Sequence, residues 1–295
     1  MNDFLNNYQL KITNFERNLP RFMKAECFPT LLDAMNYSLM ANGKRLRPIL
    51  VFETGRMFDC NQDDLENFAV AIEMIHTYSL IHDDLPCMDN DDLRRGNPTN
   101  HKVYGDANAL LAGDALLSLA FEVMADGVAF IGERGLRAMK YIAKMAGPSG
   151  MISGQCADIH FENVPEDERT MEDLLYMHRK KTGGLLTASI VTGAIIAGAS
   201  EENIEILEQF GEHLGVLFQL TDDILDVEGD SAIIGKSTGK DEAKNKFTFV
   251  SAMGLEKAKE EVAVQVSECK EIISKVKGKK GFFMDLIENI ATRNK

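Results

Sequence analysis

The chain lacks the features that mark several large classes of protein. Its five cysteines, Cys27, Cys60, Cys87, Cys156 and Cys269, form no CxxC pair. That odd, scattered set suggests neither a disulfide framework nor a zinc site and suits a reducing compartment. Positive charge is scarce: 32 Lys and Arg against 46 Asp and Glu leave a formal charge of −14, the wrong sign for a nucleic-acid-binding face. Long apolar runs are missing too. The longest, Leu185 to Gly198, is too short and too interrupted to span a bilayer. Met1-Asn2-Asp3-Phe4-Leu5-Asn6 has neither the basic flank nor the apolar run of a signal peptide. The 7 prolines are scattered, no Gly/Ser or charge block separates two halves, and no fixed-period repeat occurs. These absences predict a soluble cytoplasmic protein with residues 1–295 forming a single domain.

What is present is helical periodicity. Leu31, Leu32, Met35 and Leu39 recur on a 3.6-residue period, as do Ile204, Leu207, Phe210, Leu214 and Leu217. Gly43 can stop the first run, Thr170 with Asp173 reads as a capping box, and Pro148 suits a helix start. Hairpin signals and sustained two-residue alternation are missing. The spacing predicts long helices over 62–85, 106–125, 182–199 and 201–227, and hence an all-α, multi-helix bundle.

Two acidic clusters interrupt these helices. In Asp222-Asp223-Ile224-Leu225-Asp226, Asp222 and Asp226 project from one face about a turn apart. The flanking Phe218, Leu220, Ile224 and Leu225 mark that helix as core-facing, where clustered carboxylates are costly without a cation. A solvated helix end has the same pattern. The other cluster is Asp83-Asp84-Leu85-Pro86-Cys87-Met88-Asp89, followed by Asn90, Asp91 and Asp92. Pro86 breaks the helix and allows Asp89 to return towards Asp83 and Asp84. Oxygen donors without a Cys and His set suit magnesium or manganese.

Competing motifs fit less well. His82-Asp83 matches the HD pair of metal phosphohydrolases but leaves the other aspartates unused. A calcium loop from Asp89 has Arg94 where glycine is required. Gly235-Lys236-Ser237 lacks both the P-loop spacing and the preceding strand. Small basic groups remain: Gly43-Lys44-Arg45-Leu46-Arg47-Pro48, Arg94-Arg95-Gly96, Lys180-Lys181-Thr182-Gly183, and Lys236, Lys240 and Lys246. Together with two metal-binding clusters they suit two diphosphates.

These motifs, with Tyr78 through Gly96 read as one block, closely resemble the short-chain trans-prenyl diphosphate synthases, above all bacterial farnesyl and plant geranylgeranyl diphosphate synthases. The resemblance implies an all-α bundle around a deep central cavity, a homodimer, and condensation of isopentenyl diphosphate with dimethylallyl or geranyl diphosphate. By motif, Asp83, Asp89 and Asp222 would hold Mg2+, three ions when allylic diphosphate is bound, with Asp84, Asp223 and Asp226 in support. Arg94, Lys181, Lys236 and Lys246 would contact the allylic diphosphate. Lys44, Arg47, His76 and Arg95 would hold isopentenyl diphosphate, with the last residues of the chain closing over it. Lys246-Phe247-Thr248-Phe249 departs from the family's usual lysine, threonine, tyrosine wording. Thr182 and Gln219 would turn oxygens towards the allylic cation.

Tyr78 and Ser79 lie five and four residues before Asp83, roughly 6 to 8 Å down a helix from the metals. A growing prenyl tail passes there, and the tyrosine ring would floor its pocket and favour farnesyl diphosphate over the twenty-carbon product. In the plainer reading Tyr78 only packs, and His76 is a polar residue on a helix face. A non-catalytic partner subunit would lack the aspartate motifs, and a terpene cyclase would lack the set Lys44, Arg47, His76 and Arg95.

Overall fold

The computed structural model describes residues 2–23, 26–228 and 246–293. The helices are α1 (Asn2–Asn18), α2 (Pro29–Leu39), α3 (Leu46–Met57), α4 (Gln62–Asp83), α5 (Asn100–Tyr104), α6 (Asp106–Ile131), α7 (Glu133–Ala146), α8 (Met151–Phe161), α9 (Met171–Lys181), α10 (Gly183–Ala197), α11 (Glu201–Glu228), α12 (Phe249–Met253), α13 (Leu255–Ser274) and α14 (Gly281–Thr292). None among the described residues is long and apolar enough to cross a membrane. The bundle is organised around α10, whose sequence carries no charge and whose residues Gly183 to Ile196 are all buried. A helix apolar on every side must be surrounded, and α10 packs against α3, α4, α7, α9 and α11.

Small residues set how closely these helices approach. A Cβ added at Gly193 of α10 would lie 2.5 Å from the Val51 carbonyl oxygen of α3, and one at Gly113 of α6 would lie 2.1 Å from His82 Nε2 of α4. The same His82 nitrogen lies 3.0 Å from the Leu110 carbonyl oxygen. His82 therefore ties α4 to α6, which accounts for it without the HD-pair reading.

The expected helix boundaries shift where local chemistry intervenes. Helix α4 ends at Asp83 instead of Leu85, because Pro86 follows. Helix α6 continues past residue 125 to Ile131. Pro148 lies in the turn before α8, which starts at Met151. The capping box of α9 forms as expected: the Asp173 amide donates to Thr170 Oγ1 at 3.2 Å and the Thr170 amide to Asp173 Oδ2 at 3.1 Å. The expectation of no hairpin is corrected by a short antiparallel pair, β1 (Leu93–Arg94) with β2 (Asn97–Pro98). Its turn is Arg95-Gly96, with φ of 55° and 81°, the left-handed geometry that a tight two-residue hairpin demands.

Most apolar side chains join one core along α3, α4, α6, α10 and α11. A separate cluster of Leu174, Met177, Val216, Leu220, Phe247, Phe249 and Ala258 anchors the segment after residue 246 against α9 and α11. Gly193→Ala should lower the unfolding free energy by about 1–3 kcal/mol, because the new methyl meets α3 backbone. Urea denaturation checks this, and unchanged stability would show that α3 and α10 can separate freely.

Candidate active site

The chain beyond Asp83 turns back on itself. The Asp89 amide donates to the Asp83 carbonyl at 2.8 Å and the Asn90 amide to that of Leu85 at 3.1 Å, with Asn90 at φ 50°. Asp83, Asp84 and Asp89 are thereby brought together electrostatically. Burial, offset in part by Lys181 and reinforced by Asp89, raises the Asp83 carboxyl to about 6. Asp84 is fully buried and takes both oxygens to Arg94, whose Nε lies 3.0 and 3.2 Å away. Arg94 is thus held by a carboxylate of its own chain.

The opposing motif on α11 divides its work in the same way. Asp223 is buried; it accepts from Gln219 Nε2 at 2.8 Å and from the Phe249 amide at 2.8 Å. Gln219 Oε1 accepts from Thr182 Oγ1 at 2.8 Å. Thr182, Gln219 and Asp223 form one chain of hydrogen bonds that ties the α9–α10 junction to α11. Asp222 is 43% exposed and pairs with Arg293 Nη2 at 2.7 Å. The Arg293 guanidinium also donates to the Phe218 carbonyl at 2.7 Å and to Thr221 Oγ1 at 2.6 Å, over the Phe218 ring at 4.1 Å. Asp226 lies one turn beyond Asp222 on α11.

Asp158 of α8 is a central group that the sequence reading missed. Its Oδ2 accepts from Lys181 Nζ at 2.6 Å and from Lys246 Nζ at 3.0 Å. Burial opposes the Asp158 charge, yet Lys181 and Lys246 hold its carboxyl below the usual range. Lys246 also reaches Asp89 at 3.2 Å and Glu162 at 2.5 Å. This places Lys246 at the first aspartate cluster despite its unusual neighbours. Phe247 packs edge-on against Phe161, Thr248 caps α12, and Phe249 stacks on His178. A signal for Asp158 does exist in sequence: Gly154 stands four residues before it, and a Cβ there would lie 2.1 Å from the Lys181 amide nitrogen. Lys236 falls outside the described residues.

A second charged group forms at the start of α3 and the middle of α4. Burial pushes Arg47 down to about 10, with Glu73 opposing that and Arg95 adding to it. Arg47 Nε is buried without a hydrogen-bond partner. Burial likewise holds His76 well below its ordinary value, and Arg47, Arg95 and Arg94 add to the effect. The Arg95 guanidinium lies over Gly43, where an added Cβ would meet Nη1 at 2.7 Å. Cations pressed together with an unpartnered donor favour an anion between them. Tyr78 is buried, its hydroxyl unpartnered, its ring edge-on to His82 at 5.6 Å. Ser79 Oγ donates to the His76 carbonyl at 2.9 Å. A small cleft of about 30 Å³ is lined by Tyr37, Thr77, Ile81, Asp84, Arg94 and Arg95 among others; Tyr78 and Ser79 are not part of its lining.

The aspartates suit a hard divalent cation of a particular kind. Among the described residues, no three His, Cys, Asp or Glu side chains converge into a ready-made ion cage. Asp83, half-buried and crowded by Asp84 and Asp89, is a carboxylate whose charge calls for a cation. One or two carboxylates completed by water and substrate phosphate is the magnesium pattern.

The described geometry agrees with what the chain resembles in known proteins. It matches the polyprenyl synthetase family over residues 28–289. It is 45% identical over 267 residues to a farnesyl diphosphate synthase of Bacillus subtilis, covering 90% of this chain and 89% of that protein. It is 48% identical over 231 residues to the large subunit of a heterodimeric geranylgeranyl pyrophosphate synthase of Arabidopsis thaliana, covering 77% of this chain and 62% of that one. A solved geranyltransferase from Helicobacter pylori, complexed with magnesium and isoprenyl diphosphate, superimposes with a TM-score of 0.82 at 32% identity, over 97% of this chain and 96% of that one. The chain belongs to the polyprenyl synthetase family.

His178 gives a pH prediction from this region. It is buried, with both ring nitrogens unpartnered, 5.0 Å from the Phe249 ring centroid. Burial holds its pKa down to about 3. The unfolded chain therefore takes up a proton near pH 6.5 that the folded chain refuses, so His178 favours folding fully only above that pH. Between pH 6.5 and 5 the wild type should lose about 2 kcal/mol more stability than His178→Phe. Chemical denaturation at the two pH values checks this, and parallel loss in both proteins would contradict it.

Proposed function

We propose that the chain is a prenyltransferase that condenses isopentenyl diphosphate head to tail with dimethylallyl diphosphate to give geranyl diphosphate, and with geranyl diphosphate to give (2E,6E)-farnesyl diphosphate, releasing pyrophosphate each time. The observation that carries this is the pairing of an electron-rich aspartate mouth with a separate crowded cation group at Arg47 and Arg95. The whole chain, 1–295, works as one domain in the cytoplasm. It forms a homodimer, for which the exposed apolar residues Leu110, Leu111 and Phe130 of α6 offer surface.

Asp83, Asp89 and Asp222 would hold Mg2+, three ions with the allylic diphosphate bound, and the ions would supply charge neutralisation of the diphosphate leaving group. Asp84 holds Arg94, while Asp223 and Asp226 support the second motif. Lys181 and Lys246 leave Asp158 for the allylic diphosphate, joined by Arg94 and Lys236. Lys44, Arg47, His76 and Arg95 fix isopentenyl diphosphate so that its double bond faces the allylic carbon. The allylic carbon–oxygen bond breaks with its electron pair going to pyrophosphate, and the isopentenyl double bond attacks the resulting cation. A proton then leaves the new chain for the pyrophosphate. Thr182 donates its hydroxyl hydrogen to Gln219, so its oxygen lone pairs remain available to steady the cation. Neutral His76 accepts or donates without adding charge.

Tyr78 floors the tail pocket, which favours fifteen carbons. A geranylgeranyl product is the second reading, favoured by the 48% identity to the Arabidopsis thaliana relative. Purified protein given magnesium, labelled isopentenyl diphosphate and each allylic starter should release fifteen-carbon diphosphate. Tyr78→Ala should lengthen the product, and Asp83→Asn should lower kcat about a thousandfold or more. A twenty-carbon wild-type product would remove the tyrosine floor, and no condensation with any starter would overturn the activity.

A further inference from the structure

Arg45 is the one charged residue of Gly43-Lys44-Arg45-Leu46-Arg47-Pro48 without a role so far, and it is among the best-tethered side chains described. It sits at φ 45° and is 2% exposed. Its Nε donates to Glu16 Oε1 of α1 at 2.9 Å and its Nη1 to Glu73 Oε1 of α4 at 2.6 Å. Its Nη2 donates to the Leu39 and Ala41 carbonyls at 2.9 and 2.8 Å. A non-glycine residue in the left-handed region is strained unless its surroundings hold it there. Here four hydrogen bonds do so, and Arg45 is the N-cap of α3, with Lys44 just before it and Arg47 in the first turn of the helix. Helix α1 contributes a further tether: Tyr8 Oη donates to the Lys44 carbonyl at 2.8 Å. Tyr8 is held in turn between Phe4 and Phe282 of α14.

Glu73 adds an electrostatic reason. It is 1% exposed, one turn before His76 on α4, and its charge acts on Arg47 and Arg95 as well as on Arg45. While Arg45 neutralises it, Arg47 and Arg95 remain free to attract an anion. Without Arg45, the buried carboxylate would turn its field on those two arginines and weaken the anion site from behind.

We propose that Arg45, with Glu73, Glu16 and Tyr8, is a positioning device for the isopentenyl diphosphate site: it fixes Lys44 and the start of α3 that carries Arg47, and screens Glu73 from Arg47 and Arg95. This rests on the function proposed above. It also gives α1, which lies outside residues 28–289 of the family match, a part in substrate binding.

The test uses full-length protein and separates the two substrates. Tyr8→Phe, which removes one hydrogen bond and little else, should raise the isopentenyl KM about threefold to tenfold and leave the allylic KM unchanged. Arg45→Gln should raise the isopentenyl KM at least about tenfold. Adding Glu73→Gln to it should recover a large part of that loss, because the unscreened carboxylate is gone. Calorimetric titration of isopentenyl diphosphate into wild type and Tyr8→Phe gives the same comparison without turnover. Equal rises in both KM values, or a double variant no better than Arg45→Gln, would overturn the proposal. Should Arg45→Gln fail to fold, Tyr8→Phe decides by itself. A wild type that binds isopentenyl diphosphate more tightly than Tyr8→Phe yet condenses nothing would sink the activity and leave the positioning role standing.

Discussion

Like charges drawn out of water repel one another strongly, and much of the polar architecture at the substrate end of this bundle follows from that constraint. Asp83, Asp84 and Asp89 crowd the end of α4, and Arg47 and Arg95 crowd the neighbouring group with His76. The fold answers several members of these groups with partners of its own. Arg94 takes Asp84, Lys246 takes Asp89, and the Phe249 amide and the Gln219 side chain donate to Asp223. Arg47 Nε is left buried without a partner.

The scaffold that holds this tension is supplied by close helix packing. Helix α10 has no polar face, so other helices surround it, and glycines at 193, 113 and 154 bring α3, α4 and α9 to contact distances that larger residues would prevent. Rigid neighbours are what permit a left-handed Arg45 and a folded-back Asp89 to persist.

Much of this was legible in the sequence, and the reason is locality. The 3.6-residue apolar period of α2 and α11, the Thr170 cap and the break at Pro86 depend on residues within a turn or two of one another. The aspartate motifs are equally compact, and so is the family resemblance they carry. What the sequence hid is long-range. Asp158 meets Lys181 and Lys246 across 23 and 88 positions, and nothing in its own neighbourhood marks it except a small residue one turn earlier. Tyr8 and Glu16 lie in a helix with little recognisable pattern, and their partners are 36 and 29 residues away. The hairpin at Arg95-Gly96 escaped because its strands are two residues long, too short for any alternation to register.

The central claim is that the aspartate mouth is completed by a divalent cation together with an anionic ligand, each improving the site for the other. Calorimetric titration of magnesium chloride into the full-length chain, with and without a non-reactive allylic diphosphate analogue, tests it most directly. Magnesium affinity should rise about tenfold or more with the analogue present, and Asp83→Asn should abolish the increase. An affinity unaffected by the analogue, or one that survives Asp83→Asn unchanged, would contradict it.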